Sequence, residues 1–307
     1  MPVDEQLVIQ ALRLPAGTAA TSERLGEHPY APVRLTLCPP GQSELVVLVR
    51  RDPDDERAAN HLAVMEALTN RGFPFAPRLL AIAGDAAVEE WEDGLTALNV
   101  KMETHDLAAA VDAIAALHAL DVREGLRWEQ QPAGLLPAEE FPLYRLGFAA
   151  HEREPAREPL TQAREQLLAG PFGFTHGHAT AGNVLFTANG PRLVNFADAG
   201  YGHQLFDVAA FLATCGADAG LRRELAERYA RTRRLDVSAT VDLVDLATIW
   251  WGLHDLLPLP RRLVEMLGDD AAIEALKLSA NRIEAALREP AGDSPIAAAI
   301  RAALWPA

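Results

Sequence analysis

Between residues 174 and 211 the side chains able to do chemistry fall into short groups: His176-Gly177-His178, then Asn183 after four residues, then Asn195 with Asp198 close behind. A histidine in such a group accepts a proton near neutral pH. Magnesium is a hard cation that prefers anionic oxygen, so Asn183 and Asn195 offer it weak, neutral donors where Asp198 offers a carboxylate. His176 and His178 also have a spacing that can bind zinc. A catalytic zinc site needs a third protein ligand, however, and no residue of the chain suggests itself as one.

The elements that position these residues are short. Asn183 opens an apolar strand, Asn189-Gly190-Pro191 is a turn, and Arg192-Leu193-Val194 is a second strand that ends at Asn195. Two antiparallel strands then present their polar residues at one end. The stretch resembles the catalytic core of the aminoglycoside phosphotransferase and choline kinase group, which has a protein-kinase-like fold. That group carries His-Gly-Asp, four residues, Asn, and further on Asp-Phe or Asp-Trp. His176, Gly177, Asn183 and Phe196 match, as do Gly200-Tyr201-Gly202 and Asp207-Val208-Ala209. His178 stands where the family has its catalytic Asp, and Asn195 where it has its metal-binding Asp. The resemblance also implies that His176 packs beneath the loop and that Asp207 braces it.

In such kinases the first Asp orients the acceptor hydroxyl and the second holds magnesium against the nucleotide phosphates. Asn195 supplies a neutral carbonyl instead, and a histidine at 178 is larger than Asp and disfavoured in its charged form beside a cation. The resemblance therefore implies a catalytically degenerate, pseudokinase-like member that binds a nucleotide, a small molecule or a protein partner. The alternative is an active ATP-dependent small-molecule phosphotransferase, with His178 as the base and Asp198 swung in for Asn195. ATP or another nucleotide is the expected cofactor, and magnesium, offered only Asn183 and Asn195, is expected to bind weakly if at all.

The rest of the chain reads in the same order as the family. A strand or short helix at 6–14 leads to a loop of small residues at 15–22, where a kinase covers the phosphates. Strands follow at 33–37 and 44–49, the second ending at Arg50, which takes the place of the family's phosphate-contacting Lys. An amphipathic helix at 54–71 has an acidic first turn and ends at Gly72. The family's ion-pair Glu aligns there with His61, read from its residue type as half-exposed; Glu56 lies a turn earlier and Glu66 on another face. A strand at 86–91 runs into Glu90, Trp91 and Glu92, the linker whose main chain binds adenine in the family. The expected fold is thus α+β and bilobal: a small antiparallel-sheet N-lobe at 1–93 and a large, mainly helical C-lobe at 94–307.

In the second part Leu107, Val111, Ile114, Leu117 and His118 share one face of a helix at 105–120, and His118 reads as a satisfied packing residue. A loop-rich stretch at 121–142 is a lid or a surface connection. Charged helical stretches at 144–154 and 160–169 precede the central motif, and helices at 207–215, 241–257, 263–288 and 295–304 follow it. The helix at 241–257 carries Trp250, Trp251, His254 and Asp255. It is a core helix by composition, and relatives use such helices to wall the acceptor pocket.

A formal net charge of -15 argues against a nucleic-acid partner, which needs clustered Lys and Arg. It is compatible with a cationic acceptor, but an acid excess more often reflects solubility than recognition. No apolar run of about 18 residues suggests a membrane span, and the start lacks a basic, cleavable leader, so the expected location is cytoplasmic. Cys38 and Cys215 are far apart, give no disulfide framework, and are expected to be buried fillers.

Overall fold

The computed structural model describes residues 3–26, 30–122 and 142–306. The chain opens with α1 (Glu5–Ala11), capped by the Asp4 carboxylate on the Leu7 N–H. Strands β1 (Ala19–Arg24), β2 (Val33–Cys38), β3 (Leu45–Arg50), β4 (Leu79–Ala83) and β5 (Ala86–Glu90) follow, with α2 (Asp55–Asn70) between β3 and β4. The strands form an antiparallel sheet in the order β1-β2-β3-β5-β4. The alternation of β2 and β3 sets its two faces. Leu35, Leu37, Val47, Val49 and Val88 point one way and bury Val8 and Ile9 of α1 against them. Leu48, Arg50 and Glu89 point the other way, towards α2.

The ambiguous stretch at 6–14 is helical as far as Ala11. The small-residue loop is shorter than expected, because Ala19–Arg24 is an edge strand. Exposed along nearly all its length, it shows no apolar alternation by which to recognise it. Cys38 is also a correction: it is exposed at the end of β2, whereas Cys215 is buried and its thiol is pushed up to about 11 by burial.

After β5 the chain crosses into the second part through β6 (Gly94–Thr96), which pairs with β8 (Val184–Thr187), itself paired with β9 (Gly190–Leu193). Gly94 is needed for this crossing, since a Cβ there would lie 2.6 Å from the Phe186 carbonyl oxygen. A second ribbon joins β7 (Phe172–Thr175) to β10 (Gly200–His203). Around these ribbons pack α3 (Thr104–His118), α4 (Ala150–Leu168), α5 (Gln204–Thr214), α6 (Ala219–Arg233), α7 (Val237–Leu256), α8 (Leu259–Glu265), α9 (Asp270–Arg288) and α10 (Pro295–Leu304). Leu107, Val111, Ile114 and Leu117 of α3 enter the same core as Phe211 of α5 and Trp250 of α7. The mixed α+β architecture, a sheet first and then a mainly helical part, is the one expected from the order of elements.

Several helix boundaries differ from the sequence reading. The stretches at 144–154 and 160–169 are a short 3-10 turn, Leu143–Leu146, and one continuous helix that runs through Pro155 and Pro159. Each proline forgoes a helical hydrogen bond. Ala156, Leu160, Ala163 and Leu167 nevertheless bury one face of α4, and that packing holds the helix through the two breaks. The single helix expected at 263–288 is instead divided: Gly268 adopts φ +101, and Asp269 caps a new helix by accepting from the Ala272 N–H. Pro258 to Pro260 stop α7, as expected, and also begin α8. Residues 123–141, most of the expected lid or connection, lie outside the described residues.

Candidate functional site

The loop 176–178 hangs from one buried carboxylate. Asp207, in the first turn of α5, accepts the His176 N–H at 2.6 Å and the Gly177 N–H at 3.0 Å. Gly177 holds φ +80, which lets the chain turn over the carboxylate. His118, at the end of α3, lies 3.0 Å from Asp207 through Nε2 and 2.8 Å from the Tyr229 hydroxyl through Nδ1. Burial keeps His118 neutral, so Nε2–H donates to Asp207 and Nδ1 accepts from Tyr229. Burial pushes the Asp207 carboxyl up, but the His118 hydrogen bond and the His176 N–H outweigh it and hold Asp207 below the usual carboxylate range.

His176 is fully buried, and burial keeps it neutral. Its Nε2–H donates to the Val194 carbonyl at 3.0 Å, its Nδ1 accepts the His178 N–H at 3.4 Å, and its ring lies 4.6 Å from that of Phe196. Both ring nitrogens are thus engaged in holding the loop. A zinc ligand at this position would have to give up one of these bonds.

The fold brings His178, Asn183 and Asn195 together. Asn183, at the end of a 3-10 turn (Ala181–Asn183), donates from Nδ2 to the His178 carbonyl at 2.9 Å. Its Oδ1 accepts from Nδ2 of Asn195 at 3.4 Å. Asn195 sits in the left-handed region, φ 70 and ψ 66, a conformation that Asn and Asp adopt more readily than most residues. Two amides bonded to each other present no anionic oxygen between them. As a donor set for magnesium they fit poorly.

Asp198 is placed elsewhere. It ends a 3-10 turn, Phe196–Asp198, and its carboxylate is gripped by Arg57 of α2, Nη1 on Oδ1 and Nη2 on Oδ2, the latter at 3.0 Å. Arg57 also meets Asp52 through Nε at 3.2 Å. Burial works against the Arg57 charge, and Asp198 and Asp52 more than restore it. One turn along α2, the fully buried Asn60 donates to the carbonyls on either side of Asp198, Ala197 at 3.1 Å and Ala199 at 2.8 Å. Sequence reasoning missed both residues. Arg57 sits among the acidic residues of the first turn, but Asn60 left a signal: it is polar on the stripe that continues through Val64 and Leu68.

Arg50 and His61 meet on a third residue, Glu89 of β5, which is 1% exposed. Its Oε1 lies 3.4 Å from Arg50 Nε and 2.8 Å from His61 Nε2. Burial pushes the Glu89 carboxyl up, and the Arg50 charge together with the His61 hydrogen bond brings it below the usual range. His61 is therefore buried, not half-exposed, because it needs to reach a carboxylate inside the sheet–helix interface. The side chains of the linker are tied to neighbours: Glu90 to Arg78 by two 3.0 Å hydrogen bonds, Trp91 to Asp93 at 2.8 Å, and Glu92 to Arg192 at 2.8 Å. Arg34 covers the Trp91 ring at 5.1 Å.

In the helical part a cleft of about 610 Å³ opens between the Leu143–Leu146 turn, α7, α9 and α10. Leu253, Leu256, Leu287 and Trp305 line it, with Arg145 and Glu284 among its charged groups. Trp250 is 1% exposed and belongs to the core. Among the described residues no helix is long and apolar enough to cross a membrane.

These features have counterparts among known proteins. The fold is shared with a macrolide 2'-phosphotransferase of Brachybacterium faecium at 18% identity and a TM-score of 0.62, over 91% of this chain and 98% of that one. It is shared equally with a choline/ethanolamine kinase family protein of Mesorhizobium loti, at 19% identity and a TM-score of 0.59, over 97% and 98% of the two chains. An amicoumacin kinase solved with AMP-PNP, Ca2+ and Ami superposes with a TM-score of 0.58 at 12% identity, over 96% of each chain. No curated protein matches the sequence. The phosphotransferase enzyme family (APH) model matches residues 34–238, two thirds of the chain, from β2 through α2 and the braced loop to the start of α7. By that match, the chain belongs to the phosphotransferase enzyme family.

Proposed function

We propose that the chain binds a nucleotide in the manner of small-molecule kinases but has lost metal-assisted phosphoryl transfer. Arg50 meets the phosphates, and the main chain after β5, around Trp91 and Glu92, meets the base. The observation that carries this reading is the hydrogen bond between Asn183 and Asn195, which puts two neutral amides where transfer needs a carboxylate-held cation. Asp198, the alternative carboxylate, would first have to leave the fork of Arg57. With His178 at the position of the catalytic Asp, the chain acts by binding, its second ligand being a small molecule or a partner.

The test is restoration. His178→Asp combined with Asn195→Asp is expected to raise ATP affinity about tenfold or more in the presence of magnesium, and to leave it unchanged without the metal. An unchanged affinity in a folded double variant contradicts this assignment of positions. Magnesium-dependent turnover by the wild type, abolished by Asp198→Ala, would establish the rearranged active enzyme instead.

A further inference from the structure

We infer that Glu89 is the positioning residue for a phosphate-binding guanidinium at Arg50. The inference rests on the nucleotide reading above and assigns a role to a residue on the strand beside Arg50. In the register of β3 and β5, Leu48 faces Glu89 and Arg50 faces Ala87. Glu89 and Arg50 are therefore diagonal neighbours on one face of the sheet, close enough for long side chains to meet. Glu89 Oε1 forms an ion pair with Arg50 at 3.4 Å from Nε, without the geometry of a hydrogen bond. Arg50 also borders a small cavity with His61 and Ala197, so it lies beside the turn that carries Asn195 to Asp198. A guanidinium oriented by a buried carboxylate keeps N–H donors for a phosphate oxygen pair.

A buried carboxylate with a guanidinium and an imidazole contributes little stability over apolar residues of the same size, so packing alone does not account for the trio. What the trio does is set the direction of Arg50. It does so from the sheet itself, with α2 contributing only His61. The anchor is thereby fixed within the sheet, in place of a carboxylate supplied by the helix.

The experiment compares ATP with adenosine, which lacks phosphate, by titration calorimetry on the full chain in EDTA. The variants are Glu89→Gln, Glu89→Asp, Arg50→Met and the Arg50→Met/Glu89→Gln pair. The wild type is expected to prefer ATP by about tenfold or more, and each single variant to lose most of that preference while binding adenosine within about twofold of the wild type. Glu89→Gln is expected to add nothing once Arg50 is Met. Glu89→Asp keeps the buried charge and serves if Glu89→Gln fails to fold. The inference is overturned if both Glu89 variants keep the ATP preference, if they weaken adenosine equally, or if Glu89→Gln still acts without Arg50. A wild type that binds adenosine but shows no preference for ATP overturns the role of Arg50. A wild type that binds neither overturns the nucleotide reading and this inference with it.

Discussion

Arg57 and Asp198 are 141 residues apart in the chain and form a two-pronged ion pair that joins α2 to the turn following Asn195. Asn60 completes the joint by donating to both carbonyls around Asp198. Helix α2 and the turn that follows Asn195 are thereby held together.

Asn60→Ala should be costly, because it leaves two inward-facing carbonyls without their donor. A loss of about 1–3 kcal/mol is expected from urea unfolding. Arg57→Met should cost less, since the half-buried Asp198 can turn to solvent. Equal stability of Asn60→Ala and the wild type would show that the joint carries no load.

Asp207→Asn should loosen the loop itself. The amide keeps one acceptor oxygen but turns an N–H2 towards groups that already donate, His176 N–H, Gly177 N–H or His118 Nε2–H. A destabilisation of about 3 kcal/mol is expected, together with faster hydrogen exchange at His176 and Gly177 than at the core of α5. Unchanged exchange at these two amides would contradict the bracing role.

Acid should destabilise the protein before its carboxylates titrate. Burial lowers His203 from 6.5 to about 4, and it lowers His118 and His176 as well. Between these values the unfolded chain binds more protons than the folded one, so stability is full above about 6.5 and falls as the pH drops towards 4. His203 alone accounts for about 3 kcal/mol across that window. Glu89 and Asp207, whose values are lowered on folding, add to the loss only below the ordinary carboxylate range. Unfolding followed from pH 7 to pH 4 checks this, and His203→Leu should flatten the curve. A wild-type stability that does not change over this range would contradict the assignment.

The architecture was legible because its signals are local. Alternation marks β2 and β3, the stripe from Leu107 to Leu117 marks α3, and Gly177, Asn183 and Asp207 stand at the spacing of the phosphotransferase loop. The site was legible only in part. His178, Asn183 and Asn195 do converge, but the partners of Asp198, Arg50 and His61 come from a distant helix and a distant strand. Ala197 and Ala199 take part through carbonyls, which no side-chain pattern can announce. Glu89 lies within the strand expected at 86–91, and only the pairing of β3 with β5 places it beside Arg50. The edge strand β1 and the proline-containing α4 escaped for a simpler reason: exposure removes alternation, and core packing overrides local propensity.

The central claim is that a nucleotide binds without the help of a metal. Thermal unfolding of the wild type with ATP, with magnesium and with both tests it directly. ATP at about 100 times its dissociation constant stabilises by about 2.7 kcal/mol, and the midpoint is expected to rise by the same amount with and without magnesium. A rise that appears only when magnesium is present, or no rise at millimolar ATP, would contradict the account.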